Sequence, residues 1–205
     1  MVVFLYMKQS LEKLLQGYHE FRNQYALGHH SIMQQLSKKG QNPQVMVVAC
    51  CDSRVDPALI LQCDPGDLFV VRNVANIVPP YEKDDAHHGT SAALEFGICF
   101  LKVKHLILLG HSQCGGIQSL LNSEVAHDDF ISNWMSLVQV AACNPKNVDD
   151  CAKAALHHSY NNCMRFPWIN ERVANGDLII HLWFFDIMKG QIFKYSDSDK
   201  SYTPL

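Results

Sequence analysis

The sequence predicts an α/β fold built on a mainly parallel sheet, and three observations carry that reading. "QVMVVAC" (44–50), "DLFVVRNVAN" (67–76) and "HLILLGH" (105–111) are short, continuous, β-branched runs of the kind that strands buried on both faces display. Between the last two lies "GTSAALEFGICFLKV" (89–103), with a Thr/Ser start and Ala, Leu and Phe at helical spacing. Strand, helix, strand in alternation is the signature of parallel pairing through crossover helices.

The elements then follow in chain order. "SLEKLLQGYHEFRNQYA" (10–26) places Leu11, Leu14, Leu15 and Tyr18 on one helical face and charges on the other. A second helix covers "HSIMQQLSKK", ended by Gly40 and the following Pro43. After the three strands, "DFISNWMSLVQVAA" and "VDDCAKAALHHSYNNCM" supply helices. "LIIHLWFFDIMKGQIFKY" (178–195) reads as a strand pair turning at Lys189 and Gly190, which adds an antiparallel strand at the edge. No repeat, low-complexity tract or linker interrupts the 205 residues, so a single domain is expected.

Composition narrows the function. Apolar residues are 48% and charged residues 18%, which excludes disorder; a net charge of −3 without a basic stripe leaves no footprint for nucleic acid or an anionic membrane. The apolar start is seven residues long and runs into a helical pattern, a poor secretory leader, and no run reaches the roughly 18 apolar residues of a membrane span. A cytoplasmic protein acting on a small molecule is the expectation. Its eight cysteines should stay reduced, as core thiols or metal ligands.

In an open parallel sheet, ligands bind beyond the carboxyl ends of the strands. Two strands finish there in metal-ligand chemistry: "VVACCDSR" offers Cys50 or Cys51 beside Asp52 and Arg54, and "LLGHSQCGG" offers His111 and Cys114. Two thiolates and an imidazole suit zinc, and three protein ligands leave the fourth position open, as catalytic sites do.

"ACCDSRV" and "GHSQCGG" resemble the paired C-x-D-x-R and H-x-x-C signatures of the β-class carbonic anhydrases. The likeness is close over about residues 40–122 and looser at "HLWFFDIMKGQI". It selects Cys50, His111 and Cys114 as ligands of one Zn2+, with Cys51 at the variable position and turned away by strand alternation. Cys51, Cys63, Cys99, Cys143, Cys151 and Cys163 are then structural.

The resemblance implies hydration of carbon dioxide to bicarbonate, with Asp52 orienting the attacking hydroxide and Arg54 keeping Asp52 ionised. It implies four parallel strands plus an edge strand, and a homodimer or homotetramer in which the helices of residues 1–40 pack on the partner. Phe69, Val74 and Phe96 would line the substrate pocket, with Gln41 reaching across the dimer interface. Gly115 and Gly116 would open the helix after Cys114, where bulkier residues would block close approach.

This sequence departs from the family at two places. Phe96 stands where relatives often carry Tyr, and Val47 stands where a subgroup with an inhibitory bicarbonate site carries Trp. An open site with Asp52 paired to Arg54, and without that bicarbonate site, is expected. His87 and His88, near the active-site segment, are candidates for a proton shuttle. The competing readings are a hydrolase of carbon disulfide or carbonyl sulfide, a thiol enzyme, and a non-catalytic zinc module that leaves Asp52 and Arg54 without a task.

Overall fold

The computed structural model describes residues 2–28, 31–122, 129–138 and 147–205, with side chains from residue 10 onward except that of residue 122. It divides into two compact units, residues 1–42 and 43–205.

In the first unit, α1 (Val2–Phe21) continues through a π-helical turn, Arg22–Ala26, so the helix begins eight residues before the expected Ser10. Leu11, Leu14, Leu15 and Tyr18 form an exposed apolar stripe along it. Helix α2 (Ile32–Lys39) is capped by Ser31, whose hydroxyl accepts from Gln34 N, and ends at Gly40. Gly40 adopts a φ of 76°, where a side chain would be strained.

The second unit holds one six-stranded sheet in the order β2-β1-β3-β4-β5-β6. Strands β1 (Val45–Cys50), β2 (Leu68–Asn73), β3 (His105–His111) and β4 (Ile179–Asp186) run parallel. Strand β5 (Gln191–Ser196) pairs antiparallel with β4 after a turn at Gly190, and β6 (Ser201–Pro204) pairs antiparallel with β5. The expected edge strand is therefore two strands. The second is four residues of mixed polarity, too short to show periodicity, and it forms because Tyr202 packs on Tyr195 and Phe184.

Short α3 (Pro57–Ile60) connects β1 to β2; its first turn is held by Asp56 Oδ1, which accepts from Ala58 N and Leu59 N. Helix α4 (Gly89–Glu95) runs into a π-helical turn, Phe96–Phe100, before β3. Helices α5 (Gly115–Asn122), α6 (Phe130–Met135), α7 (Val148–Cys163) and α8 (Pro167–Ala174) lie between β3 and β4. The expected helix beyond Met135 leads into residues 139–146, outside the described residues, as is Cys143.

Met46, Val48, Leu106, Leu108, Leu156 and Ile169 are all fully buried and anchor the core. Gly110 is required where α7 crosses β3: a Cβ there would lie 2.9 Å from Leu156 Cδ1. The register sets Cys50 opposite Asn73 and His111 opposite Phe185, so β1 and β3, hydrogen-bonded neighbours, deliver Cys50 and His111 to the same end of the sheet.

Candidate active site

Cys50, His111 and Cys114 are all buried, and their ligand atoms lie within 4.8 Å of one another. His111 Nδ1 lies 2.9 Å from Ser112 O. A carbonyl can only accept, so the ring proton sits on Nδ1 and Nε2 keeps its lone pair. That Nε2 is buried and has no hydrogen-bond partner. An orphaned acceptor in a dry pocket is costly unless something binds it. The donor set fits zinc, since tetrahedral Zn–S and Zn–N bonds put ligand atoms about 3.5–3.8 Å apart.

The sulfurs are held by backbone donors. Cys50 Sγ accepts from Asp52 N at 3.4 Å; the Ala75 N–H on the Cys50 side, and those of Gly116 and Ile117 beside Cys114 at the start of α5, favour the thiolate forms. The Cys114 thiol's hydrogen bond is the main reason that the Cys50 thiol is pulled far down, and the His111 ring and the two backbone donors add to it. Cys114 is pushed up in turn by that bond and by burial.

Asp52 follows β1, and Arg54 grips it at both oxygens: Nε and the backbone N each donate to Oδ1 at 2.9 Å, and Nη2 to Oδ2 at 2.7 Å. This bidentate bridge holds the Asp52 carboxyl well below the usual carboxylate range. Arg54 Nη2 also donates to Gln113 O at 3.3 Å, which ties the dyad to the loop between His111 and Cys114.

Several supporting residues carry no motif that sequence reasoning used. Arg72 donates from Nε to Cys50 O (2.8 Å), from Nη2 to Asp52 O (2.7 Å) and from Nη1 to Asp56 Oδ2 (2.8 Å), clamping the turn between ligand and dyad. Asp149, in the first turn of α7, accepts from Gln113 N at 2.8 Å; Gln113 sits at φ 53°, a conformation that needs such support. An arginine inside a strand that reads as buried was the available signal for Arg72.

The remaining expected residues are placed as follows. Phe69 lies four residues before Asn73 on β2, about 13 Å down the strand, and packs on Phe96 with ring centroids 5.8 Å apart. Phe96 is 44% exposed. The two rings therefore form an apolar patch away from the ligands of the same chain. Gln41 belongs to the first unit and is exposed.

Val74 packs against Gly116, where a Cβ would lie 2.8 Å from Val74 Cγ1; at Gly115 a Cβ would meet nothing within 4 Å. The close approach that the sequence suggested for both glycines is needed only at Gly116. Cys51 is exposed and faces a cleft of about 740 Å3 that Val74, Ile131, Trp134, His87 and His88 also line. His88 Nε2 is engaged by Asp84 Oδ1 at 2.6 Å. Cys63, Cys99, Cys151 and Cys163 are partly or fully buried.

Fold and site together define a mainly parallel-sheet α/β protein with a Cys2His group, able to hold a metal ion, at the carboxyl ends of neighbouring strands. The carbonic anhydrase family model matches residues 45–192. The chain is 40% identical over 160 residues to β carbonic anhydrase 5, chloroplastic, of Arabidopsis thaliana, covering 72% of this chain and 52% of that one. It is 34% identical over 197 residues to the carbonic anhydrase of Synechocystis, covering 90% and 71%.

Among solved structures, the β-carbonic anhydrase CcaA matches with a TM-score of 0.85 at 30% identity, over 96% of this chain and 100% of that one. One of two tetrameric β-carbonic anhydrases from Sordaria macrospora matches at 0.73 and 29%, over 99% and 100%. The chain belongs to the β-carbonic anhydrase family. It spans about half the length of the Arabidopsis chloroplastic relative.

Proposed function

We propose that this chain is a zinc-dependent carbonic anhydrase that interconverts carbon dioxide and water with bicarbonate and a proton. The observation that carries the reading is the unpartnered His111 Nε2 facing Cys50 and Cys114, with an ionised carboxylate fixed beside them. Zinc bound by Cys50, His111 and Cys114 would supply the Lewis acidity that makes hydroxide available near neutral pH.

The chain's own residues do the rest. Both Asp52 oxygens are committed to Arg54, so Asp52 does not act as a fourth ligand and the site stays open. Its remaining lone pairs accept a hydrogen bond from the attacking hydroxide and aim the hydroxide lone pair at the substrate carbon. Arg54 keeps that acceptor ionised throughout. The thiolates, stabilised by backbone N–H groups, balance the charge of the metal.

A homodimer completes the site. The apolar stripe of α1 calls for a partner surface, and Gln41, Phe69 and Phe96 would line a neighbouring copy's pocket. Among the described residues no helix is long and apolar enough to cross a membrane. We assign the cytoplasm as the compartment, since reduced thiols suit it; a fluorescent fusion of the full-length protein checks this. Light scattering checks the dimer against a tetramer.

The decisive experiment is stopped-flow carbon dioxide hydration by the zinc-loaded protein between about pH 6.5 and 9. A fast rate rising through one ionisation near pH 7 to 8 supports the reading. Confirmed zinc without turnover across that range overturns it.

A further inference from the structure

We propose that Asp149 is a positioning residue for His111 and acts through a single peptide group: it accepts from the N–H of the Ser112–Gln113 peptide, whose carbonyl receives the His111 ring proton. The inference rests on His111 being a metal ligand and not on the identity of the substrate.

The two hydrogen bonds lie at opposite ends of that one peptide. His111 Nδ1 lies 2.9 Å from Ser112 O, and Gln113 N donates to Asp149 Oδ1 at 2.8 Å. Resonance couples a peptide's N–H to its C=O, so a carboxylate at the nitrogen end makes the oxygen a better acceptor. Hydrogen bonds in series polarise one another in this way, by about 10–30% per bond. A metal-ligating histidine gives its second ring N–H to a carboxylate, a carbonyl or water, which fixes its tautomer and orientation and raises its basicity. Here a carbonyl receives it, and a carboxylate stands one peptide behind.

Two further contacts hold the same peptide. Ser112 N donates to Phe185 O and Ser112 Oγ accepts from Ile187 N, both at 2.9 Å, so β4 fixes the residue that carries the carbonyl. Arg54 Nη2 reaches Gln113 O at 3.3 Å. Gln113 itself sits at φ 53°, left-handed backbone that persists only where contacts over-determine it.

Burial separates the two ends of the chain of bonds. His111 is fully buried, whereas Gln113 is exposed and Asp149 half-buried in the first turn of α7. If Asp149 only closed a loop, a neutral acceptor would serve the Gln113 N–H equally well. A charged acceptor makes a bond roughly twice as strong as a neutral one. Asp149 therefore passes part of its negative charge to a buried imidazole while the carboxylate itself stays within reach of water.

NMR of the zinc-loaded protein, labelled with nitrogen-15 at histidine, reads this on the ring itself; loss of the signal in His111→Gln assigns the Nδ1 proton. We expect Asp149→Ala to move that proton upfield and to weaken zinc about 10-fold in competition with a chelator, with one Zn2+ per chain still bound at saturation. Asp149→Asn keeps an acceptor and loses the charge, so it should move the proton the same way by less. Asp150→Asn alters the next carboxylate, which pairs with Lys153 instead, and should leave the proton in place. An unmoved proton in both Asp149 variants, with wild-type circular dichroism, overturns the proposal. So does an equal shift in Asp150→Asn, because the charge would then act through space rather than through the peptide. If Asp149→Ala does not fold, the Asp149→Asn spectrum decides alone. Ring resonances of His111 that ignore added Zn2+ in the wild-type protein would bring down the metal-ligand reading and this inference with it.

Discussion

Arg54 donates from Nε to Asp52 Oδ1 at 2.9 Å and from Nη2 to Oδ2 at 2.7 Å, so one side chain occupies both oxygens of the carboxylate two residues beyond Cys50. The folded carboxyl is held far below its unfolded value of about 3.9, and the sign follows. The bridge is complete above about pH 5, and it is lost only as the pH falls through the depressed folded value. Asp52 should therefore contribute no inflection to the pH–rate profile between about pH 5 and 9. Arg54→Gln should lower kcat/KM by about 10- to 100-fold at neutral pH, as loss of a metal-centre support does, while zinc stays bound; stopped-flow rates with metal analysis check both.

Substitution of a ligand should act differently. Cys50→Ser, His111→Ala and Cys114→Ser should each lose most bound zinc and nearly all activity. Acidification should release zinc from the intact protein as protons compete for the thiolates, which a colorimetric chelator would follow.

Gly115 and Gly116 are adjacent and are predicted to respond unequally to alanine. At Gly116 the new Cβ meets Val74 Cγ1 at 2.8 Å and Met135 Sδ at 3.3 Å, so overpacking should cost about 1–3 kcal/mol. At Gly115 nothing lies within 4 Å, and Gly115→Ala should change stability by less than about 0.5 kcal/mol. Denaturant unfolding of the two variants separates these outcomes.

Arg72 places three hydrogen bonds on the turn that carries Cys50 and Asp52. Arg72→Met fills much of the same space without donors and should destabilise the fold by about 2–4 kcal/mol. Arg72→Lys should recover only part of this, because a single ammonium cannot span three acceptors in a plane. Thermal unfolding of both variants gives the comparison.

Asp149 holds Gln113 N, and Gln113 O holds Arg54. Asp149→Ala should reduce kcat several-fold with zinc content unchanged, and Asp149→Asn should restore it, since its Oδ1 still accepts. Unchanged kcat in Asp149→Ala would show that Arg54 needs no help from α7.

The sequence was legible where a local pattern and a local structure coincide. The buried runs ending at Cys50 and His111 read as parallel strands, and the turn at Gly190 follows from its chemistry. Cys50, Asp52 and Arg54 are close in the chain, as are His111 and Cys114, so spacing alone groups each set. The sixth strand escaped notice because Ser201–Pro204 pairs only after β5 is in place. The strand expected to run to residue 76 stops at Asn73 because its side chain pairs with Ile77 four residues on, a local hydrogen bond that leaves no periodic trace. Arg72 and Asp149 act on backbone atoms distant in sequence, which no motif records.

Cys50 and His111 close the ends of β1 and β3, about sixty positions apart, and only the pairing of those strands brings them face to face. An ion gripping both would act on the chain as a rivet acts on two plates. In the unfolded ensemble it would have to hold together a loop of that length, whose closure alone is worth about 4 kcal/mol in the cross-link picture. A half-formed chain would thus offer such an ion a poor cradle, and its capture would report that the topology is complete.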